Sequence, residues 1–595
     1  MKDFLKYTLA TITGIILICL VLFFFGLMSM MSLANSSRSE TKVENNTVMK
    51  LQLDGTIVER STSNPWDMLM GSSTGKATGL NDILSGIKKA KENDKVLGIY
   101  IQGGNTFYAA PSSLQEMRNA LEDFKTSGKF IVAYGDNFTQ EAYYVASVAD
   151  KVMMNPQGML QWQGMVAEPM FYKDMLDKIG VEMQIFKVGT YKSAVEPYML
   201  NEMSDANREQ LTDRINSIWN NFVADVSASR NISAENLQAL AEESTMFNPS
   251  NDMVKNGLVD TLIYKNDVKE YLKKVAGLDE DDNMPLLSVE NMANANSNVP
   301  KDKSGNIIAV YYAVGEIDPS TSFFSFPDDN IQSDKMISEL KKLQDNDDVK
   351  AVVIRVNSPG GSAFGSEQLW YAITQLKEKK PVIVSMGDYA ASGGYYLSCN
   401  ADLIFAEPTT LTGSIGIFGT VPNAQKLAQK VGLSVGVVKT NKYADLEGTN
   451  MLARPMTDDE KGLMQMYVNN GYDTFLTRVS EGRHMTKEQV DAIGQGRVWT
   501  GERAKELGLV DMLGGLDDAL DIAIQRADVE SYTIMNYPAE ESMFSKLLSS
   551  SPGDYLESRL MKSKLGQLYY PYSFIDKFQI NDMLQARMPY DLNIR

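Results

Sequence analysis

Ser392 lies in "AASGGYYLS" (390–398), between small residues and a Gly-Gly pair, just after the apolar run of "VIVSMGD" (382–388). A serine on a tight turn from strand to helix is how a chain presents a nucleophile, and such a serine needs a base. The 595 residues include one histidine, His484, whose setting "EGRHMTKEQ" is a charged helical stretch that reads as surface. The only cysteines are Cys19 and Cys399, too separate in setting to pair, so neither a disulfide framework nor a thiolate metal cage is expected. No metal or other cofactor is implied.

The base comes from comparing the chain with itself. "GD" at 135–136 recurs at 387–388 and "YY" at 143–144 recurs at 395–396, both at an offset of 252 (387 against 135). In that register Val132 meets Val384, Ala149-Asp150 meets Ala401-Asp402, Pro156 meets Pro408, Gly164 meets Gly416 and Lys187 meets Lys439. Gly180 likewise meets Gly432 and Tyr191 meets Tyr443, and "GLVD" occurs at 257–260 and 508–511. The chain is a tandem duplication.

The copies differ where chemistry would sit. Ser392 falls on Gln140, and Gly393-Gly394 falls on Glu141-Ala142. Conversely, Lys192 of "VGTYKSAVEP" (188–197) falls on Ala444. Each half lacks what the other keeps, as expected if two identical sites decayed into one composite site. A neutral lysine is a competent base, and burial lowers its pKa by as much as ~3–5 units. Lys439 and Lys442, in "KTNKYAD" (439–445), lie near the position equivalent to Lys192, but the ungapped register puts Ala444 there. Oxyanion donors are offered by "NSPGGSA" (357–363), where Gly360 and Gly361 leave room for a peptide carbonyl, together with the amide of Gly393. A helix starting at Gly393-Gly394 would turn its positive end toward the developing charge.

The elements that must position these residues are legible too. "VLGIYI" (96–101) and "AVVIRV" (351–356) read as buried strands, each followed by a segment with apolar residues at helical spacing. Strand, helix, strand at this spacing implies right-handed crossovers and a largely parallel α/β sheet in each half. The halves are expected at 47–276 and 307–535, with an acidic, Asn- and Pro-rich linker over 277–306. An extension over 536–595, including the aromatic "YYPYSF", has no counterpart in the first half. Residues 8–34 carry no charge and are long enough to span a bilayer, after a cytoplasmic segment 1–7 containing Lys2 and Lys6. A net charge of −19 argues against nucleic acid or an anionic membrane surface as the main partner.

"VGTYKSAVEP", "RVNSPGG", "GDYAASGGYY", "TLTGSIGIFG" and "RVWTGERAKELGLVD" together resemble the signal peptide peptidase A family of the long, membrane-anchored bacterial type (protease IV, peptidase family S49). The resemblance implies a ClpP/crotonase-like domain in each half and a membrane-anchored homotetramer enclosing its active sites. It implies a serine endopeptidase that degrades signal-peptide remnants and other apolar peptides on the extracytoplasmic side of the cytoplasmic membrane. By motif, Ser392 matches the nucleophile, Lys192 the general base, and Ser414 a serine that hydrogen-bonds the base; the repeat counterpart of Ser414 is Trp162. Two rivals are a crotonase-type acyl-CoA enzyme, which also binds an oxyanion with glycine-rich strand ends, and a non-catalytic membrane scaffold.

Overall fold

The runs "VLGIYI" and "AVVIRV" form the strands Val96–Tyr108 and Val349–Ser358. Continuous apolar runs of this kind belong to parallel sheets covered on both faces. The computed structural model describes residues 41–61, 77–295, 304–318, 330–446, 452–539 and 584–588, with residues 4, 6–8, 10–18, 21 and 564. In the first half the strands run in the order Leu286–Ser288, Thr47–Val58, Val96–Tyr108, Phe130–Gly135, Lys151–Met154, Thr261–Leu262, every neighbour parallel. In the second half the order is Thr533–Tyr537, Ile307–Val314, Val349–Ser358, Val382–Ala391, Leu403–Ala406, Met512–Leu513, again all parallel. The helices Pro111–Lys125 and Ala363–Lys377 follow equivalent strands, and Asp205–Arg230 and Asp458–Arg483 are both 26 residues long. The duplication read from sequence is a duplication of topology.

The repeated motifs have repeated jobs. The carboxylates of Asp150 and Asp402 accept from the backbone N–H groups of Ile131 and Val382. Those of Asp260 and Asp511 accept from Val152 and Ile404, and pair with Arg230 and Arg483. Tyr143 and Tyr395 each send a hydroxyl to the carbonyl of the leucine in "GLVD", Leu258 and Leu509. These bonds satisfy buried strand ends and fix the helix after each strand, which is why they persist in both copies. His484 ends its helix with a left-handed backbone, φ 55°, as Asn231 does at φ 53° in the first half, and it is exposed.

Two boundaries differ from the composition-based reading. Within 277–306, Leu286–Ser288 pairs with Thr47–Val58 and the helix Val289–Ala293 buries Val289 and Met292 in the first-half core. The apolar "LLSVENM" outweighs the polar residues around it. Likewise the strand Thr533–Tyr537 crosses residue 535 and completes the second sheet. Among the described residues no helix is long and apolar enough to cross a membrane. Most of the expected anchor over 8–34, and "YYPYSF", lie outside the described residues.

A third sheet joins the halves. Its order is Asn330–Gln332, Glu316–Asp318, Gly360–Ser362, Leu584–Arg587, Phe418–Asn423, Glu182–Lys187. The last strand comes from the first half and pairs antiparallel with Phe418–Asn423 over six residues. A second contact between the halves is made by Arg355, fully buried, which pairs with Glu59 at 3.0 Å and with Glu116 at 2.5 Å, both carboxylates coming from the first half. Burial pushes the carboxyl groups of Glu116 and nearby Glu407 upward, and each repels the other's charge or that of a neighbouring acid.

Candidate active site

Ser392 ends the strand Val382–Ala391 and precedes the six-residue helix Gly393–Ser398. Its backbone is left-handed, φ 54° and ψ −110°, a conformation that costs a non-glycine residue about 1–3 kcal/mol and persists only where the surroundings impose it. They do: Ser392 N–H donates to Gly413 O at 2.8 Å, and Tyr396 N–H donates to Ser392 O at 2.8 Å. Ser414, at φ 49°, is held by its N–H donating to Arg497 O at 2.7 Å.

Lys192 arrives from the other half. It follows the seam strand Glu182–Lys187, and Val188 N–H extends that pairing to Ile417 O at 3.1 Å. Gly189 then turns at φ 104°, where a Cβ would lie 2.4 Å from Gln495 O, and Tyr191 N–H donates to Gln495 O at 2.9 Å. A Cβ on Gly496 would lie 2.6 Å from the Cβ of Lys192, so glycine there is what lets the lysine pass. From the far side, Gln210 donates its amide to Tyr191 O and Ser193 Oγ.

The side chain that results is fully buried. Lys192 Nζ stands 2.8 Å from Ser392 Oγ, 3.1 Å from Ser414 O and 3.1 Å from Ser414 Oγ. Desolvation holds its pKa well below the ordinary lysine value of 10.5. A neutral amine has two N–H donors and one lone pair, and three partners surround it. The two N–H groups donate to Ser414 O and Ser414 Oγ, leaving the lone pair to accept from the Ser392 hydroxyl. Ser414 passes its own proton toward Gly496 O at 3.4 Å. The arrangement can remove a proton from Ser392 without any carboxylate or imidazole.

The glycine loop sits opposite. Gly360, φ 97°, allows no side chain: a Cβ there would lie 2.7 Å from the Gly393 amide nitrogen. Its own N–H donates to Ser358 Oγ at 3.2 Å, which takes the Gly360 amide out of the donor set expected from sequence. Gly361 lies against the Ile317 backbone, at φ 155°. Lys442 is exposed and paired with Asp459, and Lys439 pairs with Asp445. Cys399 is buried and its thiol is pushed up to about 12 by desolvation. Among the described residues no group of His, Cys, Asp or Glu side chains is arranged to hold a metal ion.

Sequence reasoning missed the buried Arg355–Glu59–Glu116 cluster, whose only sequence signal is an arginine inside an apolar strand. It also missed that Leu584–Arg587 joins the third sheet beside Gly360–Ser362.

The family model for Peptidase family S49 matches residues 123–279 and again 374–530. The chain is 34% identical to "Protease 4" of Salmonella typhi, covering 92% of this chain and 90% of that one. It is 30% identical to "Serine protease SPPA, chloroplastic" of Arabidopsis thaliana, covering 84% of this chain and 72% of that one. Among solved structures, a point mutant of ClpP1 from Listeria monocytogenes is matched over 36% of this chain and 95% of that one, at a TM-score of 0.23 and 14% identity.

Proposed function

The chain belongs to peptidase family S49 and is a serine protease, and from that premise we propose that Ser392 and Lys192 are its catalytic dyad. The observation that carries this is the 2.8 Å approach of a fully buried Lys192 Nζ to Ser392 Oγ across the two halves. Ser392 Oγ attacks a peptide carbonyl while neutral Lys192 accepts its proton. The amides of Gly361 and Gly393 hold the oxyanion, and Gly360 contributes close approach rather than a donor. Lys192 returns the proton to the leaving amine, and water then cleaves the acyl-serine ester with Lys192 again as base. Ser414 orients Lys192. Membership of a protease family leaves the acyl-CoA and scaffold readings without support.

Each half is, in this reading, a ClpP/crotonase-like unit. The substrates are signal-peptide remnants and similar apolar peptides at the cytoplasmic membrane, with residues 8–34 as the anchor and the catalytic region on the extracytoplasmic side. The uncharged run and the lysines before it support that placement. The test is digestion of a synthetic signal peptide by the full chain in detergent. Fragments cut within the apolar core by the wild type, and missing with Ser392→Ala, are expected; identical fragments from both would overturn the assignment.

The assembly is a head-to-tail homo-oligomer, which the family resemblance makes a tetramer. Within the chain, Glu182–Lys187 of the first half pairs with Phe418–Asn423 of the second. The repeat equivalents are 434–439 and 166–171, and both stretches are largely exposed, with Val435, Val437, Val438, Val166 and Met170 presenting apolar side chains to solvent. One copy's 434–439 on the next copy's 166–171 would reproduce the seam between molecules. That pairing would carry Ala444 to Gln140, so the two lost residues belong to one lost site. Val437→Asp should convert the assembly to monomers by light scattering.

A further inference from the structure

Arg497, which opens "RVWTGERAKELGLVD", has its main chain in the second half and its side chain against the first. The carbonyl oxygen of Arg497 accepts from Ser414 N–H at 2.7 Å, the bond that holds Ser414 at φ 49°. Its guanidinium lies 4.6 Å from the ring centre of Tyr191, the residue before Lys192, and 4.4 Å from that of Trp499. The same fork pairs with Glu209 at 2.8 Å and with Asp213, both on the first-half helix Asp205–Arg230. Tyr191 in turn donates its hydroxyl to Glu209 at 3.3 Å. The arginine side chain is only 15% exposed, so cation, rings and carboxylates form one partly desolvated bracket across the halves.

The residues around Arg497 act on the same loop. Gln495 O accepts from Tyr191 N–H at 2.9 Å. Val498 N–H donates at 3.3 Å to Gln210 Oε1, and the Gln210 amide nitrogen donates to Tyr191 O and Ser193 Oγ. Residues 495–498 thus hold Lys192 by its flanks and Ser414 from behind, and Arg497 supplies the only charge among them.

The first half shows this position without a dyad. "GLVD" and the six-residue helices Ser250–Lys255 and Gly501–Glu506 align at an offset of 251 (508 against 257). At that offset Arg497 falls on Met246, half-buried, whose sulfur accepts from Gln161. The arginine, like Ser392 and Ser414, is kept in one copy alone. A need of the fold does not account for it, since the fold is repeated and the arginine is not.

We propose that Arg497 is a positioning residue for the general base: by clamping Tyr191 and carrying Ser414 it sets Lys192 Nζ against Ser392 Oγ. The proposal rests on the Ser392–Lys192 dyad. A planar fork suits this task better than a point charge, because it stacks on a ring and meets two carboxylates at once. Proton transfer needs Nζ within hydrogen-bond reach of Oγ, and a misplacement of about 1 Å can cost ~10²-fold in rate. The bracket positions the base and not the peptide, so its loss falls on kcat and leaves KM little changed.

The test is steady-state kinetics on a reporter peptide with the full chain in detergent, kcat being taken per folded molecule from circular dichroism. Arg497→Met, which gives the second half the residue of the first, should lower kcat at least ~10-fold with KM within about twofold. Arg497→Lys should recover part of that rate, since it keeps the charge but not the fork. Tyr191→Leu should lower kcat likewise, and combining it with Arg497→Met should cost no more than the worse single change, because both break one contact. Glu209→Gln with Asp213→Asn, at carboxylates that are 52% and 57% exposed, should lower kcat about threefold in a folded chain. A kcat unchanged in Arg497→Met, or in the carboxylate pair where that variant does not fold, would overturn this inference and leave the dyad standing. So would losses that multiply when Tyr191→Leu and Arg497→Met are combined. Full activity in Lys192→Met, assayed in parallel, would overturn the dyad and this inference with it.

Discussion

At equivalent positions of the two halves, one site is poised and the other is plugged. Ser392 stands on a left-handed backbone with its hydroxyl against Lys192. Gln140 opens an ordinary helix, and its side chain turns back on the neighbouring loop. Its oxygen accepts from the N–H groups of Gln163 and Gly164, and its amide donates to Gly164 O. Where Ser414 holds the lysine, Trp162 fills the space, fully buried, its indole N–H donating to Leu237 O and its ring against Tyr143 and Trp219. The site at Gln140 has exchanged strain and a buried amine for satisfied bonds and packing, whereas the site at Ser392 holds both, its amine being that of Lys192 from the first half, as the proposed reaction requires.

The sharpest way to break this contrast is Lys192→Met. It should lower kcat by at least ~10³-fold and also raise the melting temperature near pH 7. The sign follows from the depressed pKa. The unfolded chain takes up a proton at Lys192 that the folded chain refuses, so this residue's contribution to stability falls as pH falls below the ordinary lysine range. Methionine removes that penalty. A variant that lost activity and stability together would mean that Lys192 is structural.

In the plugged site the opposite is expected. Trp162→Ala should cost about 3–5 kcal/mol of stability, measured by denaturant unfolding, with activity per folded molecule unchanged. Ser414→Ala has a smaller effect: about tenfold in kcat/KM. Its acceptor favours the charged amine over the neutral one, so its loss should move the pH midpoint of activity downward. Wild-type activity itself should rise with pH through a midpoint well below 10.5. Smallest of all, Lys442→Met should leave kcat/KM within about twofold, since an exposed ion pair contributes little; a large loss would move the base to the other half.

The duplication, the parallel sheets and the crossed Ser392–Lys192 pair were legible because one register exposed both what the copies share and what each gave up. Gly360 and Gly361 were legible as a carbonyl-facing loop, although the commitment of Gly360 N–H to Ser358 Oγ needed coordinates. The strand Leu286–Ser288 was hidden because three residues of an acidic segment are too short for periodicity to register. The Arg355 cluster and the strand at 584–587 were hidden for another reason. Both depend on contacts between segments more than 200 residues apart, as with Arg355 and Glu116 at a separation of 239, which local pattern does not encode.

In the proposed dyad one serine is active and its reactivity comes from a lysine in the other half. Treating the full chain with an alkyl fluorophosphonate and mapping the adduct by mass spectrometry tests it most directly. A single adduct is expected, on Ser392, that disappears in Lys192→Met while the protein stays folded. An adduct on any other serine, or one on Ser392 undiminished in Lys192→Met, would contradict it.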